Sequence, residues 1–394
     1  MKILIQKFGG TSVSTPERRS IVANKVIAAK EKGFSPVVVV SAMGRKNDPY
    51  STDTLLSLAG GSSTSLRYRE LDLIMCCGEL ISTVVMAEEF CSRGYKAVAL
   101  TGGNAGIITD NTYGSAEILK VECERLTKLL SKGVIPIVAG FQGVTSQGDL
   151  TTIGRGGSDV TAAVLGSALK AECVEIYTDV DGVMTADPRI VPDAKLIDEI
   201  SYDAVFQLAD EGAKVVHPRA VEYAMRSGVP MVVKNTMSDS AGTIVSAGSL
   251  IRNRPLTAIT SLKDRAQFTI NTENWTCDKD ALTLLSENGI SIDLINIFPD
   301  KDIFTVDGKD AAKTEELLQT ASAKYSLVSS CSKVSIHDTS MRGTPGFMAK
   351  ILKALAKGNI KVLQTADSHS TIWCLVMEKD SDRAVQLLHK AFVG

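Results

Sequence analysis

Three glycine-bearing segments hold the side chains best suited to chemistry. The first is Lys7-Phe-Gly9-Gly10-Thr-Ser12. A lysine ahead of two glycines gathers an ammonium and two open backbone N–H groups in one place, and the helix pattern that follows adds its positive N-terminal end. That suits an anion; the alternative is a tight turn packed for its own sake. The second runs Thr151-Thr-Ile-Gly-Arg155-Gly-Gly-Ser158-Asp159 into a helical stretch. Arg155 offers a planar fork for a carboxylate or phosphate, and a charged fork between glycines has little reason to pack. Ser158 and Asp159 suit helix caps, which is their plain structural use. The third, Tyr177-Thr178-Asp179-Val-Asp181-Gly182 to Asp187-Pro-Arg189, leaves a strand at its carboxyl end, where open parallel sheets bind ligands. Neither GxxxxGK[ST] nor GxGxxG occurs, which argues against a P-loop NTPase and a dinucleotide-binding dehydrogenase. Three such segments on one sheet imply a nucleotide and a second, anionic substrate.

Apolar, β-branched runs must hold these segments. They lie at Ile3–Phe8, Pro36–Ala42, Ala97–Leu100, Val134–Ala139, Val174–Thr178 and Pro230–Val233. Helical patterns alternate with them at Pro16–Lys32, Arg69–Cys91, Ser115–Ser131, Ser158–Lys170 and His217–Arg226. This alternation predicts an α/β architecture with a mainly parallel sheet between helices. Ser, Gly, Asn and Pro crowd together near Ser238–Pro255 and mark a boundary. Beyond it the chain repeats in unbroken register, with Leu285/Leu355, Ile290/Ile360 and Val306/Val376 each 70 apart. Each copy reads as a βαββαβ unit. The 394 residues carry 43 Lys plus Arg against 45 Asp plus Glu, a net charge of −2. That balance excludes a nucleic-acid-coating or polybasic membrane protein. No apolar run approaches the ~18 residues of a spanning helix, and the start MKILIQKFGGTS is too short in its apolar run for a signal peptide. The eight cysteines show no framework, so we expect buried thiols in a reducing cytoplasm.

KFGGTSV, VVVVSAMG, GRGGSD, YTDVDGV, ADPR and GAKVVHPRA, in this order, resemble the aspartokinase family over essentially the whole chain. SAMGRKNDP and LQTADSHSTIW are most similar to its monofunctional, Gram-positive, diaminopimelate-responsive form. The resemblance implies an amino-acid kinase αβα sandwich over 1–240 and two ACT-type regulatory domains over 256–329 and 330–394. It implies phosphorylation of the side-chain carboxylate of L-aspartate by ATP with Mg2+, giving 4-phospho-L-aspartate. This is the first step toward lysine, diaminopimelate, threonine and methionine. A homodimer or larger assembly joined through the ACT domains, and an amino-acid effector (diaminopimelate, lysine or threonine), are implied as well.

By the same resemblance Lys7, Gly9 and Gly10 hold the transferred phosphate, and Asp159 orders the Lys7 region. Ser41, Thr178, Asp179, Arg189 and Lys214 lie around the nucleotide. Thr52, Glu79, Arg155 and Ser158 bind the substrate, with Glu79 on its α-amino group. Glu79 stands among apolar neighbours, where a buried carboxylate needs a partner. Asp293 and Asn296 in one copy, and Gln364, Thr365 and Asp367 in the other, are expected in equivalent effector-binding loops, or simply as loop caps. No direct protein ligand for the metal is assigned. The rival readings are another amino-acid kinase and a catalytically inactive sensor with the same fold.

Overall fold

The structure, a computed structural model, describes residues 1–61, 65–213, 215–248, 256–272, 280–341 and 344–394. The chain forms two compact units. The first takes residues 1–183, 196–210 and 214–252, and the second takes the rest, including 184–195 and 211–213. A single cut at residue 240 therefore does not separate them.

The first unit is built on an eight-stranded sheet. Its strands are β1 (Lys2–Phe8), β2 (Phe34–Val40), β3 (Ala97–Leu100), β6 (Ile135–Ala139), β9 (Cys173–Thr178), β10 (Glu199–Ser201), β11 (Met231–Asn235) and β12 (Thr243–Ser246). Their order is β10-β12-β11-β9-β1-β2-β6-β3, parallel except where β11 meets β12. Val37–Val40 are fully buried, as a central strand covered on both faces requires. One face carries α1 (Pro16–Glu31) and α3 (Tyr68–Cys91), whose Val22, Val26, Met86 and Phe90 pack on Phe8, Val38 and Val40. The other carries α5 (Gly157–Ala168), whose Gly166 approaches Ile5 and Val174. Strand alternation thus sends Phe8 to the α1/α3 side and Lys7 to the α5 side. The remaining helices are α2 (Thr52–Leu58), α4 (Glu124–Ser131), α6 (Tyr202–Asp210) and α7 (Pro218–Ser227).

A second sheet, absent from the sequence reading, joins β4 (Ile107–Thr109), β5 (Ile118–Val121), β7 (Gln142–Thr145) and β8 (Leu150–Thr152). It takes residues expected to start a helix at Ser115. The helix begins only at Glu124, because Asp110 accepts the Glu117 N–H and the chain from Ile118 pairs with β4.

In the second unit the six-stranded order is β14-β15-β13-β16-β18-β17. These are β13 (Thr257–Asn271), β14 (Ile292–Ile297), β15 (Lys301–Asp307), β16 (Tyr325–Asp338), β17 (Gln364–Asp367) and β18 (Thr371–Met377). The helices are α8 (Ala281–Glu287), α9 (Ala311–Thr320), α10 (Phe347–Lys357) and α11 (Ser381–Phe392). The repeated positions are its cores: Leu285, Ile290 and Val306 sit in one cluster, Leu355, Ile360 and Val376 in another. The strands are divided differently from a cut at 329/330. Residues 265–271 of β13 pair with β15 in the first copy, whereas Thr257–Leu262 pair with Asp338–Lys333 of the second. The second copy takes its fourth strand, Thr257–Leu262, from ahead of the first copy. A bulge after Leu262, with Asp264 at φ 58, lets one strand serve both cores. No described helix is long and apolar enough to cross a membrane.

Candidate active site

In the first unit the carboxyl ends of β1 and β2, the start of α5 and the middle of α3 enclose a cavity of about 360 Å³. Lys7, Gly10, Ser41, Thr52, Glu79, Ser158 and Asp159 all line it. Lys7 Nζ lies 2.7 Å from Asp159 Oδ1, with both side chains mostly buried. Asp159 sits in the first turn of α5, and its other oxygen accepts the His217 N–H at 3.2 Å. His217 is the cap of α7, its ring accepting the Arg219 N–H, and burial holds its pKa below the ordinary value.

Two glycines are required by contact. A Cβ on Gly10 would lie 2.3 Å from the Ala42 carbonyl oxygen, because the turns after β1 and β2 meet backbone to backbone. Gly156 has φ 69, and a Cβ there would lie 2.0 Å from the His217 ring. Gly9 donates to the Tyr177 carbonyl at 3.4 Å, beside the Lys7 ammonium.

Glu79 enters the cavity from α3 and is 2% exposed. Its Oε1 accepts the Ala42 N–H at 3.1 Å, and its Oε2 has no hydrogen-bond partner among the described residues. Burial pushes its pKa up to about 8, against the smaller opposing effect of the Ala42 hydrogen bond. A buried carboxylate oxygen aimed into a cavity with nothing to accept from is a place for a ligand's donor.

The other predicted residues are placed differently. Arg155 is exposed and does not line the cavity. Thr178 ends β9 and Asp179 follows it, both outside the cavity lining, and Asp179 pairs with Arg45 at 2.7 Å. Arg189 lies in the second unit, bound to Asp187. Lys214 is outside the described residues.

Several residues were missed. Arg45 and Lys46 line the cavity; two cations in the Gly-, Asn- and Pro-bearing loop after β2 were the available signal. Phe141 also lines it. Asp72, fully buried on α3, accepts from Thr152 N at 2.8 Å, Thr152 Oγ1 at 2.7 Å and Gly114 N at 2.9 Å, and so pins β8 ahead of the Arg155 loop. Nothing local in the sequence marks Phe141 or Asp72.

Comparison with known proteins adds an independent line. Residues 2–235 match the amino acid kinase family and residues 326–390 match an ACT domain. Aspartokinase 1 of Bacillus subtilis is 43% identical over 400 residues, covering 100% of this chain and 99% of the relative. The chain belongs to the aspartokinase family. A Geobacillus stearothermophilus aspartokinase is 40% identical, covering 100% of this chain and 97% of its own. The aspartokinase fold extends across both units. E. coli aspartokinase III, solved in complex with aspartate and ADP, superposes with a TM-score of 0.84 at 26% identity, covering 100% of each chain. The same enzyme solved with lysine and aspartate gives 0.78, also over 100% of each chain.

In the second unit the candidate effector residues stand on strands, a correction to the expected loops. Asp293 and Asn296 are on β14, and Gln364, Thr365 and Asp367 on β17. Pairing with β15 and β18 extends these segments, since hydrogen-bonding partners on a neighbouring strand outweigh local turn preference. The structure links Gln364 to Asn296, with Nε2 donating to Oδ1 at 2.7 Å. Asp293 is already bound to Lys333 at 2.7 Å, and Lys333 also pairs with Glu211 at 2.8 Å. Thr365 is half-buried and Asp367 exposed, both in the β17–β18 ladder.

Proposed function

We infer that this chain transfers the γ-phosphoryl group of ATP to the side-chain carboxylate of L-aspartate, giving ADP and 4-phospho-L-aspartate. The observation that carries it is one cavity holding the Lys7–Asp159 pair and the unpartnered Glu79 carboxylate. Glu79 takes the substrate ammonium, which returns to it the partner that burial demands. Ser158 and Thr52 hold the remaining polar groups of aspartate, and Arg155 reaches its carboxylate from the loop before α5. The reacting carboxylate has a solution pKa near ~3.9 and is already ionised, so no general base is needed. It attacks the γ-phosphorus in line as the bond to the ADP oxygen breaks. Lys7, with the N–H group of Gly10 and with Ser41, offsets the charge on the transferred oxygens, and Gly9 lets the backbone pass beside the Lys7 ammonium. Asp159 acts through Lys7, holding its ammonium in place. Thr178, Asp179 and Lys214 serve the nucleotide.

A Mg2+ ion bound with ATP would supply neutralisation of phosphate charge. Among the described residues no group of three His, Cys, Asp or Glu is arranged to hold an ion. Ser41 and Asp53, which both line the cavity, are the residues that would hold it. The first unit is the catalytic part. The 256–329 and 330–394 repeats bind an amino acid (diaminopimelate, lysine or threonine) at Asp293, Asn296, Gln364, Thr365 and Asp367. Their pairing joins two chains in the cytoplasmic enzyme. Inhibition requires the effector to bind one of two states more tightly.

The test is aspartate-dependent ADP release with hydroxylamine trapping the acyl phosphate as its hydroxamate, with and without each amino acid. Lys7→Ala should abolish hydroxamate formation. A wild-type chain that makes no hydroxamate yet binds an amino acid would be a sensor instead.

A further inference from the structure

The lining side chains of the cavity are mostly polar or charged, and Phe141 stands apart from them. Among the described lining residues it is the only aromatic, and Ala42 is the only other apolar side chain. Phe141 also has φ 67, a left-handed backbone that bulky residues avoid because Cβ crowds the following carbonyl. Glycine or asparagine would make the same turn between β6 and β7 with less strain.

The strain is held from two sides. The Phe141 N–H donates to Thr161 Oγ1 at 3.1 Å, and its carbonyl accepts from Ile153 N at 3.0 Å. Thr161 is fully buried on α5, and its hydroxyl donates onward to the Gly157 carbonyl at 2.9 Å. A Cβ on Gly157 would lie 2.8 Å from the Phe141 ring. The ring is therefore pressed onto the first turn of α5, beside Ser158. A costly backbone that fixes one aromatic ring among polar and charged lining side chains points to a role for the ring itself.

We propose that Phe141 determines substrate specificity: its ring packs on the single side-chain methylene of the acidic amino acid and closes the site to the homologue one methylene longer. The inference rests on the reading of this cavity as the amino-acid site. Glu79 anchors the ammonium, and the phosphoryl group lies at Lys7. The span between them sets the reach of the reacting carboxylate. A longer chain must bow sideways, and the ring fills the space it would need.

The experiment measures kcat/KM for aspartate and for glutamate by hydroxamate formation, using the full chain. Wild type is compared with Phe141→Ala, Phe141→Gly and Phe141→Leu. One methylene in a fitted apolar pocket discriminates by roughly 10–200-fold. The alanine and glycine variants should lower the aspartate-to-glutamate ratio by about 10-fold or more. The change should fall mainly on KM for the amino acid, with KM for ATP within about twofold, and the leucine variant should recover part of the ratio. The glycine variant also relieves the strained backbone, so it separates loss of the ring from loss of the fold. Variants that keep the wild-type melting temperature and a ratio within about twofold of wild type would overturn the proposal and leave the ring a packing element. A wild-type chain that phosphorylates neither acid would overturn the reading of the cavity, a distinct result.

Discussion

Replacing Glu79 by glutamine isolates a carboxyl that the fold holds against its own preference. Raising its pKa from 4.5 to about 8 by burial corresponds to roughly 5 kcal/mol, at about 1.4 kcal/mol for each tenfold change in proton affinity. The sign follows from proton counts. Below about pH 4.5 the group is protonated in both folded and unfolded chains and contributes no difference. Between 4.5 and about 8 the folded chain keeps the proton that the unfolded chain has lost, so stability falls as pH rises. Above that window both are ionised and the whole penalty is present. Urea unfolding from pH 4.5 to 8.5 should therefore show wild type losing several kcal/mol relative to Glu79→Gln, whose amide does not titrate. Aspartate binding carries the linked signature. Its ammonium favours ionised Glu79, so binding below about pH 8 expels a proton, and affinity rises with pH toward that value. Calorimetry in two buffers of different ionisation enthalpy counts that proton. Parallel stability curves for the two proteins, with no proton released on binding, would refute the reasoning.

Three further outcomes are expected. Gly156→Ala forces a Cβ to 2.0 Å from the His217 ring at a positive φ. It should lower kcat by about 100-fold through displacement of the Asp159 region, with a fall in melting temperature. Asp72→Ala strands the Thr152 and Gly114 N–H groups and should cost about 3 kcal/mol in urea unfolding, with Asp72→Asn recovering part. Lys333→Met leaves Glu211 and Asp293 without their shared cation and should destabilise the second unit by about 3–5 kcal/mol near neutral pH. Trp373 fluorescence reports it, since the Trp373 indole donates to Glu211 at 2.9 Å.

The strands at Ile3–Phe8 and Ala97–Leu100 and the helix from Pro16 were legible because their signals are local: apolar runs, periodicity and glycine stops. So was the 70-residue repeat, whose matched positions became two cores. The strand at Ile118 was not legible, because its pairing with β4 decides it. Lys7, Glu79, Ser158 and Asp159 were legible as candidates by motif and resemblance, and they line one cavity. Arg155, Thr178 and Asp179, chosen on the same grounds, do not.

By itself the sequence determined that β1, β2, β3, β6, β9 and β11 become strands, where glycine turns open the backbone, that the C-terminal part is a repeat, and which family the chain resembles. These depend on neighbours a few residues apart or on a register kept along the chain. Only the tertiary structure decided that Lys7 meets Asp159, that Glu79 keeps an oxygen without a donor, and that Phe141 takes a left-handed backbone. It alone showed the second repeat borrowing β13. Each of these is set by burial and by partners far away in sequence. Desolvation and long-range pairing exist only once the chain has closed on itself.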